Sequence, residues 1–208
     1  ALWHGEVEDS LEGLGVRLTH VSPDGEDGYP GQVNVEVRYT LTKASGLRID
    51  YMATTDRATP INLTNHAYFQ LRGHDKGRIH DHVLRLRSSQ YTVRDSTGIP
   101  TGEIALVEGT PFDFTASTAI GDRIDQLEAG GYDDCLIFDG WEPNGRPRLL
   151  GEVIEPMRGR RMEMLSTEPA VQLYTGNFLD GLGGKGGAVY EKHHAFCLEA
   201  QHFPDSVN

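Results

Sequence analysis

The feature that most constrains the fold of this chain is an alternation of apolar and polar residues in short segments. Apolar side chains occupy every second position from Val33 to Leu41, and the same period resumes from Leu47 to Ala53 after a short connection. A period of two is typical of strands that bury one face, and two such strands joined by a short connection form an antiparallel hairpin. The sequence therefore predicts a hairpin here.

Similar segments recur along the chain between turn-forming residues, because Gly (25) and Pro (10) are frequent among the 208 residues. Many short strands separated by turns every 8–12 residues or so describe a β-sandwich or a β-barrel. The predicted fold class is therefore all-β. Further strands are predicted over residues 14–22, 83–87, 91–94, 135–138, 149–155, 161–166, 170–175 and 195–200.

A few segments interrupt this strand pattern. Residues 119–127 form the one plausible helix, residues 96–103 are predicted to form a turn, and Asn144–Gly145 is a residue pair favoured in tight hairpins. The glycine-rich segment 181–187 is predicted to be a surface loop, because it lacks the spacing of a phosphate-binding loop. Since no linker, composition shift or repeat is found, we expect one domain.

The balance of charges excludes several classes of partner. Lys and Arg number 19 against 31 Asp and Glu, a net charge of −12, so neither nucleic acid nor an anionic membrane surface is an expected partner. No apolar segment approaches the roughly 20 residues that a membrane-spanning helix needs, and the first residues do not resemble an export signal. The two cysteines, Cys135 and Cys197, are expected to stay free thiols. The expected location is the cytoplasm.

Polar residues interrupt the apolar pattern at four places, and polar groups in an apolar setting need partners. These places are Asn65–His66, Asp133–Asp134, Gln172 and Glu199. Taken singly, most have a structural interpretation: His66 as a buried core histidine, the two aspartates as caps before a strand, and Gln172 as an outward-facing residue. Glu199 has apolar neighbours on both sides and is less easily explained as part of a solvated edge.

A histidine and a carboxylate are the minimal pair for general acid–base catalysis. Such a pair can move protons on a neutral polyol without a cofactor or a covalent nucleophile. A serine hydrolase is disfavoured, because no G-x-S-x-G segment occurs. His80 with His82, and His193 with His194, each supply two imidazoles, but no third ligand has a recognisable spacing. Neither a metal nor a cofactor is therefore expected.

Several long segments together resemble the galactose mutarotase (aldose 1-epimerase) family. The resemblance extends from about residue 15 to the end of the chain, in the order that the family shows. The segments that carry it are Ser22–Gly31, Thr59–Phe69, Gly131–Asp133, Val171–Gly181 and Phe196–Ser206.

The resemblance implies a large antiparallel β-sandwich and an enzyme that interconverts the α and β anomers of galactose, glucose and related aldoses. By position in these motifs, Glu199 is expected to be the general base that takes the proton from the C1 hydroxyl. His66 is expected to be the general acid that protonates the ring oxygen, and Asp133 and Gln172 to hold sugar hydroxyls. The implied partner is a small aldose.

The chain also departs from the family pattern. Family members carry a further histidine in a His-Gly-Gly motif with an Asn-Arg pair upstream, and neither occurs here. Residues 1–208 are therefore expected to form a single mutarotase-like domain that lacks N-terminal and C-terminal strands. Two alternatives stay open: a sugar-binding β-sandwich with impaired turnover, and a mutarotase of phosphorylated hexoses, which would need an arginine cluster for the phosphate.

Overall fold

The computed structural model describes residues 1–207, which fall into two compact units. The first unit comprises Ala1–Leu63 and the second begins at Thr64. The prediction that the chain forms a single domain stays a prediction. Almost all regular structure in the described residues is antiparallel strand, and this confirms the all-β fold class.

The first unit is a four-stranded antiparallel meander. Strand β2 pairs with β3 along its whole length, and β3 pairs with β4, which confirms the predicted hairpin. The alternation has its expected effect in the middle of β3, where Val35 and Val37 are buried, but not at its end, where Leu41 is exposed. The sequence did not predict β1, because five of its six residues are polar or glycine. The strands are β1 His4–Asp9, β2 Gly13–Ser22, β3 Val33–Thr42 and β4 Leu47–Thr55, with one 3-10 turn at Glu26–Gly28.

The second unit contains two larger antiparallel sheets and a two-stranded ribbon. Its strands are β5 Val83–Leu86, β6 Gln90–Arg94, β7 Pro100–Leu106, β8 Thr118–Ala119, β9 Asp133–Ile137, β10 Arg148–Glu155, β11 Arg160–Ser166, β12 Ala170–Tyr174, β13 Leu182–Gly183, β14 Val189–Tyr190 and β15 Cys197–Gln201. The four-stranded sheet has the order β11-β10-β5-β8 and the five-stranded sheet the order β15-β12-β9-β6-β7.

One apolar cluster joins these two sheets. Leu84 and Val153 come from the four-stranded sheet, and Leu136, Val171 and Leu173 come from the five-stranded sheet; all five are fully buried. Each sheet therefore has an apolar face turned toward the shared core, as the two layers of a β-sandwich require. For the five-stranded sheet, this leaves the opposite face of β9, β12 and β15 free to carry polar side chains.

Three local predictions differ from the structure. Residues 96–103 are predicted to form a turn, but β7 begins at Pro100. A proline is tolerated at the first position of a strand, where its missing N–H breaks no ladder hydrogen bond. Asn144–Gly145 does not make a hairpin, because it lies between β9 and β10, which belong to different sheets. The predicted helix at 119–127 consists of two 3-10 turns, Ile120–Asp122 and Ile124–Gln126.

The remaining 3-10 turn lies at Lys185–Gly187, between the two strands of the ribbon. Segment 181–187, predicted as a loop, thus includes β13 and this turn. No helix among residues 1–207 is long enough to cross a membrane.

We expect the core position Leu136 to be sensitive to truncation. Leu136→Ala should lower the free energy of unfolding by about 2–5 kcal/mol, because it removes a fully buried side chain from β9 and leaves a cavity. Leu165→Ala on β11 is the matched control, because that side chain is largely exposed. Urea unfolding followed by circular dichroism measures both, and equal losses in the two variants would contradict this account of the core.

Candidate active site

Three neighbouring strands of the five-stranded sheet present polar side chains on one face. In the sheet register, Gln172 of β12 lies opposite Glu199 of β15, and Tyr174 lies opposite Asp133 of β9 on one side and Cys197 of β15 on the other. Residues directly opposite each other share a face of the sheet, and so do residues two apart on one strand. All five side chains therefore project from the same face.

The intervening residues explain why the strands fold this way. Val171 and Leu173 on β12, Leu136 on β9 and Leu198 on β15 lie on the opposite face and belong to the core cluster. A shift of one residue in the register would turn these apolar side chains outward and the polar ones into the core. Burial of the apolar face thus fixes where the polar side chains project.

His66 reaches this face from a segment that runs beside β15 without forming a strand. The Thr64 hydroxyl donates a hydrogen bond to the Ala200 carbonyl (2.9 Å), and Phe69 and Phe196 exchange backbone hydrogen bonds of 2.8 and 3.1 Å. These anchors lie on both sides of His66 along the chain. They hold the segment against the edge strand of the sheet at two points, so the position of His66 is fixed from both directions.

The imidazole ring of His66 is held by aromatic contacts. It stacks on Tyr68, with ring centroids 5.1 Å apart, and meets the edge of Tyr174 at 5.8 Å. Aromatic pairs at such separations are stabilising beyond their buried area. About half of the His66 side chain stays exposed, so the ring is oriented by its neighbours and is still open to the solvent.

His66 and Glu199 form the closest acid–base pair on this face. The distance from His66 Nε2 to Glu199 Oε1 is 3.5 Å, and the Glu199 side chain is only 10% exposed. Both residues line an open depression of about 490 Å³, a size typical of small-molecule sites. Its lining comprises His66, Tyr68, Asp133, Gln172, Tyr174, Phe178, Glu199, Gln201 and Pro204.

Burial raises the pKa of the Glu199 carboxyl above its ordinary value, the nearby His66 opposes this increase, and the negative charge of Asp133 adds to it. A buried carboxylate loses hydration that its neighbours only partly replace. An elevated pKa makes Glu199 a stronger base than an exposed glutamate, and the nearby imidazole favours its ionised form. The pair therefore combines a proton acceptor with a proton carrier.

Asp133 and Gln172 line the same depression, next to Glu199 on the neighbouring strands. Gln172 Nε2 donates a hydrogen bond to Asp133 Oδ1 (2.9 Å), whereas the buried Oε1 of Gln172 has no hydrogen-bond partner among the described residues. A buried acceptor without a partner costs free energy. Because that oxygen is buried, a ligand hydroxyl in the depression reaches it only if the Gln172 side chain turns.

The loop before β9 is braced by groups outside the depression. Asn177 Nδ2 donates to the Tyr132 carbonyl (2.8 Å), and the Tyr132 N–H donates to the Thr175 hydroxyl (2.9 Å). A side chain at Gly131 would collide with Asn177 and His193, since a Cβ there would lie 1.9 Å from Asn177 Oδ1. This close approach accounts for the glycine in the Gly131–Asp133 motif and sets the position of Asp133.

The structure therefore places all four residues singled out by sequence, His66, Glu199, Asp133 and Gln172, around one depression. Their individual roles stay predictions. The aromatic side chains of Tyr68, Tyr174 and Phe178 also line it, and the sequence analysis missed them. The period of two could have placed Tyr174 beside Gln172, whereas nothing in the local pattern marks Phe178.

Three of the four histidines considered as metal ligands have other partners. His80 Nε2 and His193 Nδ1 lie 2.9 Å apart, and His193 Nε2 hydrogen-bonds the Gly130 carbonyl at 3.0 Å. His82 is fully buried and accepts a hydrogen bond from the Leu71 N–H. The described residues that could jointly hold a cation are instead His66 and Glu199, which line the depression, and the buried Cys197 next to them. Sequence spacing could not reveal this group, because His66 is far from Cys197 and Glu199 in the chain.

Comparison with known proteins gives consistent results. The family described as "Aldose 1-epimerase" matches residues 1–208. The galactose mutarotase of Homo sapiens is 44% identical over 195 residues, which cover 93% of this chain and 56% of that protein. The aldose 1-epimerase of Haemophilus influenzae is 35% identical and is covered to 55% of its length. The chain thus spans little more than half of these relatives.

Solved structures show the same likeness. The crystal structure of galactose 1-epimerase from Lactobacillus acidophilus superposes with a TM-score of 0.84 at 28% identity, over 98% of this chain and 59% of that one. A GalM/aldose epimerase homologue from C. elegans superposes with a TM-score of 0.82 at 28% identity. The superposition covers 96% of this chain and 58% of the homologue's chain.

The pKa of Glu199 leads to a prediction about stability. Because its pKa is raised in the folded state, the folded protein binds more protons than the unfolded chain, and stability falls as pH rises through the folded pKa. Gln cannot ionise. We expect Glu199→Gln to be more stable than the parent at neutral pH, by at least about 0.5 kcal/mol, which exceeds the usual effect of a surface substitution.

This gain in stability should shrink as the pH falls below 4.5, the ordinary pKa of a glutamate. Glu199 is then protonated in the folded protein and in the unfolded chain alike. Urea unfolding across a pH series measures the difference. Glu163→Gln on β11 is the control, because that side chain is about half exposed. If Glu199→Gln is more stable than the parent by the same amount at all pH values, ionisation of Glu199 does not destabilise the folded protein.

Proposed function

The chain belongs to the aldose 1-epimerase family, and from that premise we propose that it interconverts the α and β anomers of galactose and related aldoses in hexose metabolism. It would therefore be an isomerase that uses acid–base chemistry. The observation that carries this proposal is the separation of 3.5 Å between His66 Nε2 and Glu199 Oε1 inside an open depression.

The chemistry of anomers explains why this separation matters. The ring oxygen and the hydroxyl of an aldose hemiacetal are bonded to the same carbon, so two groups that act on them must lie close together. Ring opening needs a base for the hydroxyl proton and an acid for the ring oxygen, which is only weakly basic. An imidazole and a carboxylate that lie side by side supply both in one place.

The reaction consists of two proton transfers and their reverse. Glu199 takes the proton from the C1 hydroxyl while His66 gives a proton to the ring oxygen, and the bond from C1 to the ring oxygen breaks to leave the open-chain aldehyde. Rotation about the C1–C2 bond presents the other face of the aldehyde. The ring then closes as Glu199 returns its proton to the C1 oxygen and His66 recovers its own, so no atom is gained or lost.

Asp133 and Gln172 would hold the sugar in this reaction. A hydrogen bond joins the two side chains, which both line the depression, and a turn of Gln172 would bring its buried, unpartnered Oε1 to a sugar hydroxyl. Asp133 also raises the pKa of Glu199, so it would contribute to the strength of the base as well as to sugar binding. Hydrogen bonds from substrate hydroxyls would offset the desolvation cost of these groups.

The lining of the depression favours a neutral sugar over a phosphorylated one. Asp133 and Glu199 contribute two carboxylates, and none of the described residues that line the depression is Lys or Arg. Recognition of a phosphate usually relies on arginine side chains, and two carboxylates would repel it. This composition supports a neutral aldose such as galactose or glucose as the partner.

The cytoplasm is the compartment that we propose. Cys135 and Cys197 are both buried free thiols. Disulfides form in oxidising compartments and are rare in the cytoplasm, so two free cysteines fit a cytoplasmic protein.

Substitution of the acid–base pair tests the proposal. Glu199→Gln and His66→Asn should each lower the rate of anomer interconversion by about 10²–10⁴-fold, the usual contribution of a positioned acid or base. Polarimetry on freshly dissolved α-galactose measures this rate above the spontaneous one.

Two matched controls keep the test specific. Glu163→Gln on β11 and His4→Asn on β1 make the same chemical changes at exposed positions and should leave the rate unchanged. Unaltered rates in both site variants would contradict the assignment. Galactose binding by calorimetry without any rate above the spontaneous one would instead establish the alternative of a sugar-binding protein with impaired turnover.

A further inference from the structure

Two side chains that line the depression and one that is buried next to them together offer the donor atoms of a metal site. The thiol of Cys197, the imidazole of His66 and the carboxylate of Glu199 each present one ligand atom, and these atoms all lie within 4.8 Å of one another. Cys197 and Glu199 are two apart on β15 and so share a face of the sheet. Neither the acid–base reaction nor the holding of the sugar makes use of the Cys197 thiol.

The identity of these donors selects the class of cation. Thiolate, imidazole and carboxylate are the three kinds of protein ligand that Zn²⁺ takes, whereas Mg²⁺ and Ca²⁺ prefer oxygen donors alone. Ligand bonds of about 2.0–2.3 Å in a tetrahedral site place neighbouring donor atoms roughly 3.3–3.7 Å apart. The distance of 3.5 Å between His66 Nε2 and Glu199 Oε1 already lies in this range.

The surroundings also suit a cation. Cys197 is completely buried beneath the depression, whereas about half of His66 is exposed. Three protein ligands at the floor therefore leave a fourth coordination position toward the open side, as in zinc sites that keep a water molecule. The carboxylate of Asp133 lies near enough to influence Glu199 and adds a second negative charge.

We propose that the depression binds one thiophilic divalent cation of the Zn²⁺ and Cd²⁺ class through Cys197, His66 and Glu199, and that this cation inhibits the protein. On binding, the cation takes the place of the thiol proton, which leaves to solvent, and forms bonds to the sulfur, an imidazole nitrogen and a carboxylate oxygen. The lone pairs of Glu199 and His66 are then no longer available for proton transfer. The inhibitory part rests on the proposed function, whereas the binding part does not.

Titration of the metal-free chain with Cd²⁺ tests the binding directly. Thiolate-to-cadmium charge-transfer absorption in the ultraviolet reports a bond to sulfur. This absorption should increase until one equivalent of Cd²⁺ has been added, and excess Mg²⁺ should not change it. Cys197→Ser and Cys197→Ala should both lose this absorption. Cys135→Ser is the matched control and should retain it, because it replaces the other buried cysteine.

The two remaining ligands are tested by affinity. His66→Asn and Glu199→Gln should each weaken Cd²⁺ binding by at least about tenfold, since even loss of an outer-sphere partner has that effect. Absorption that persists in both Cys197 variants, or an affinity that neither His66→Asn nor Glu199→Gln changes, would overturn the proposed site.

A separate measurement addresses inhibition. Cd²⁺ and Zn²⁺ should slow anomer interconversion in proportion to occupancy of the site, and a chelator should restore the rate. Whatever rate Cys197→Ser retains should be insensitive to both cations. A Cys197-dependent cadmium site in a chain without interconversion would support the binding and contradict the enzymatic function, so the two failures are distinguishable. Full activity with the site occupied would overturn the inhibitory role.

Discussion

The register of β9, β12 and β15 is the constraint on which the rest of the site depends. Burial of Leu136, Val171 and Leu173 on one face of this sheet leaves no freedom in how the strands pair, because a shift of one residue would exchange the two faces. The polar side chains on the other face are thus positioned by the hydrophobic effect acting behind them. Positions on strands are also more exact than positions on loops, which suits groups that must meet a small substrate.

The same arrangement creates a conflict between stability and function. Glu199 is almost fully buried, and its pKa is raised by burial and by the charge of Asp133. A fold that was selected for stability alone would place an apolar residue here, next to Leu198. The carboxylate is useful for the same reason that it is costly, since a desolvated base is more reactive toward a proton than a hydrated one.

Two kinds of tertiary contact complete the depression. The segment around His66 forms no strand, and hydrogen bonds attach Thr64 to β15 and Phe69 to the residue just before β15. The loop before Asp133 depends on Asn177 and on the absence of a side chain at Gly131. In both places a few contacts with the sheet fix the position of a loop.

The thiol of Cys197 gives this face a second chemical possibility. Burial, together with the charges of Glu199 and Asp133, raises the pKa of this thiol to about 12, so it is protonated and unreactive near neutral pH. A thiophilic cation that bonds to the sulfur would displace this proton, as metal binding to cysteine generally requires. His66 and Glu199 can therefore transfer protons or, together with Cys197, hold a cation, but not both at once.

By itself, the sequence determined the all-β class, the hairpin of β3 and β4, and the segments that contain His66, Asp133, Gln172 and Glu199. Local periodicity and turn chemistry suffice for the strands, and the resemblance of long segments suffices for the residues. Tertiary structure alone decided that His66 Nε2 lies 3.5 Å from Glu199 Oε1, and that Cys197 joins them. Those distances depend on strand pairing between distant parts of the chain, and the periodicity of one strand carries no information about its partner.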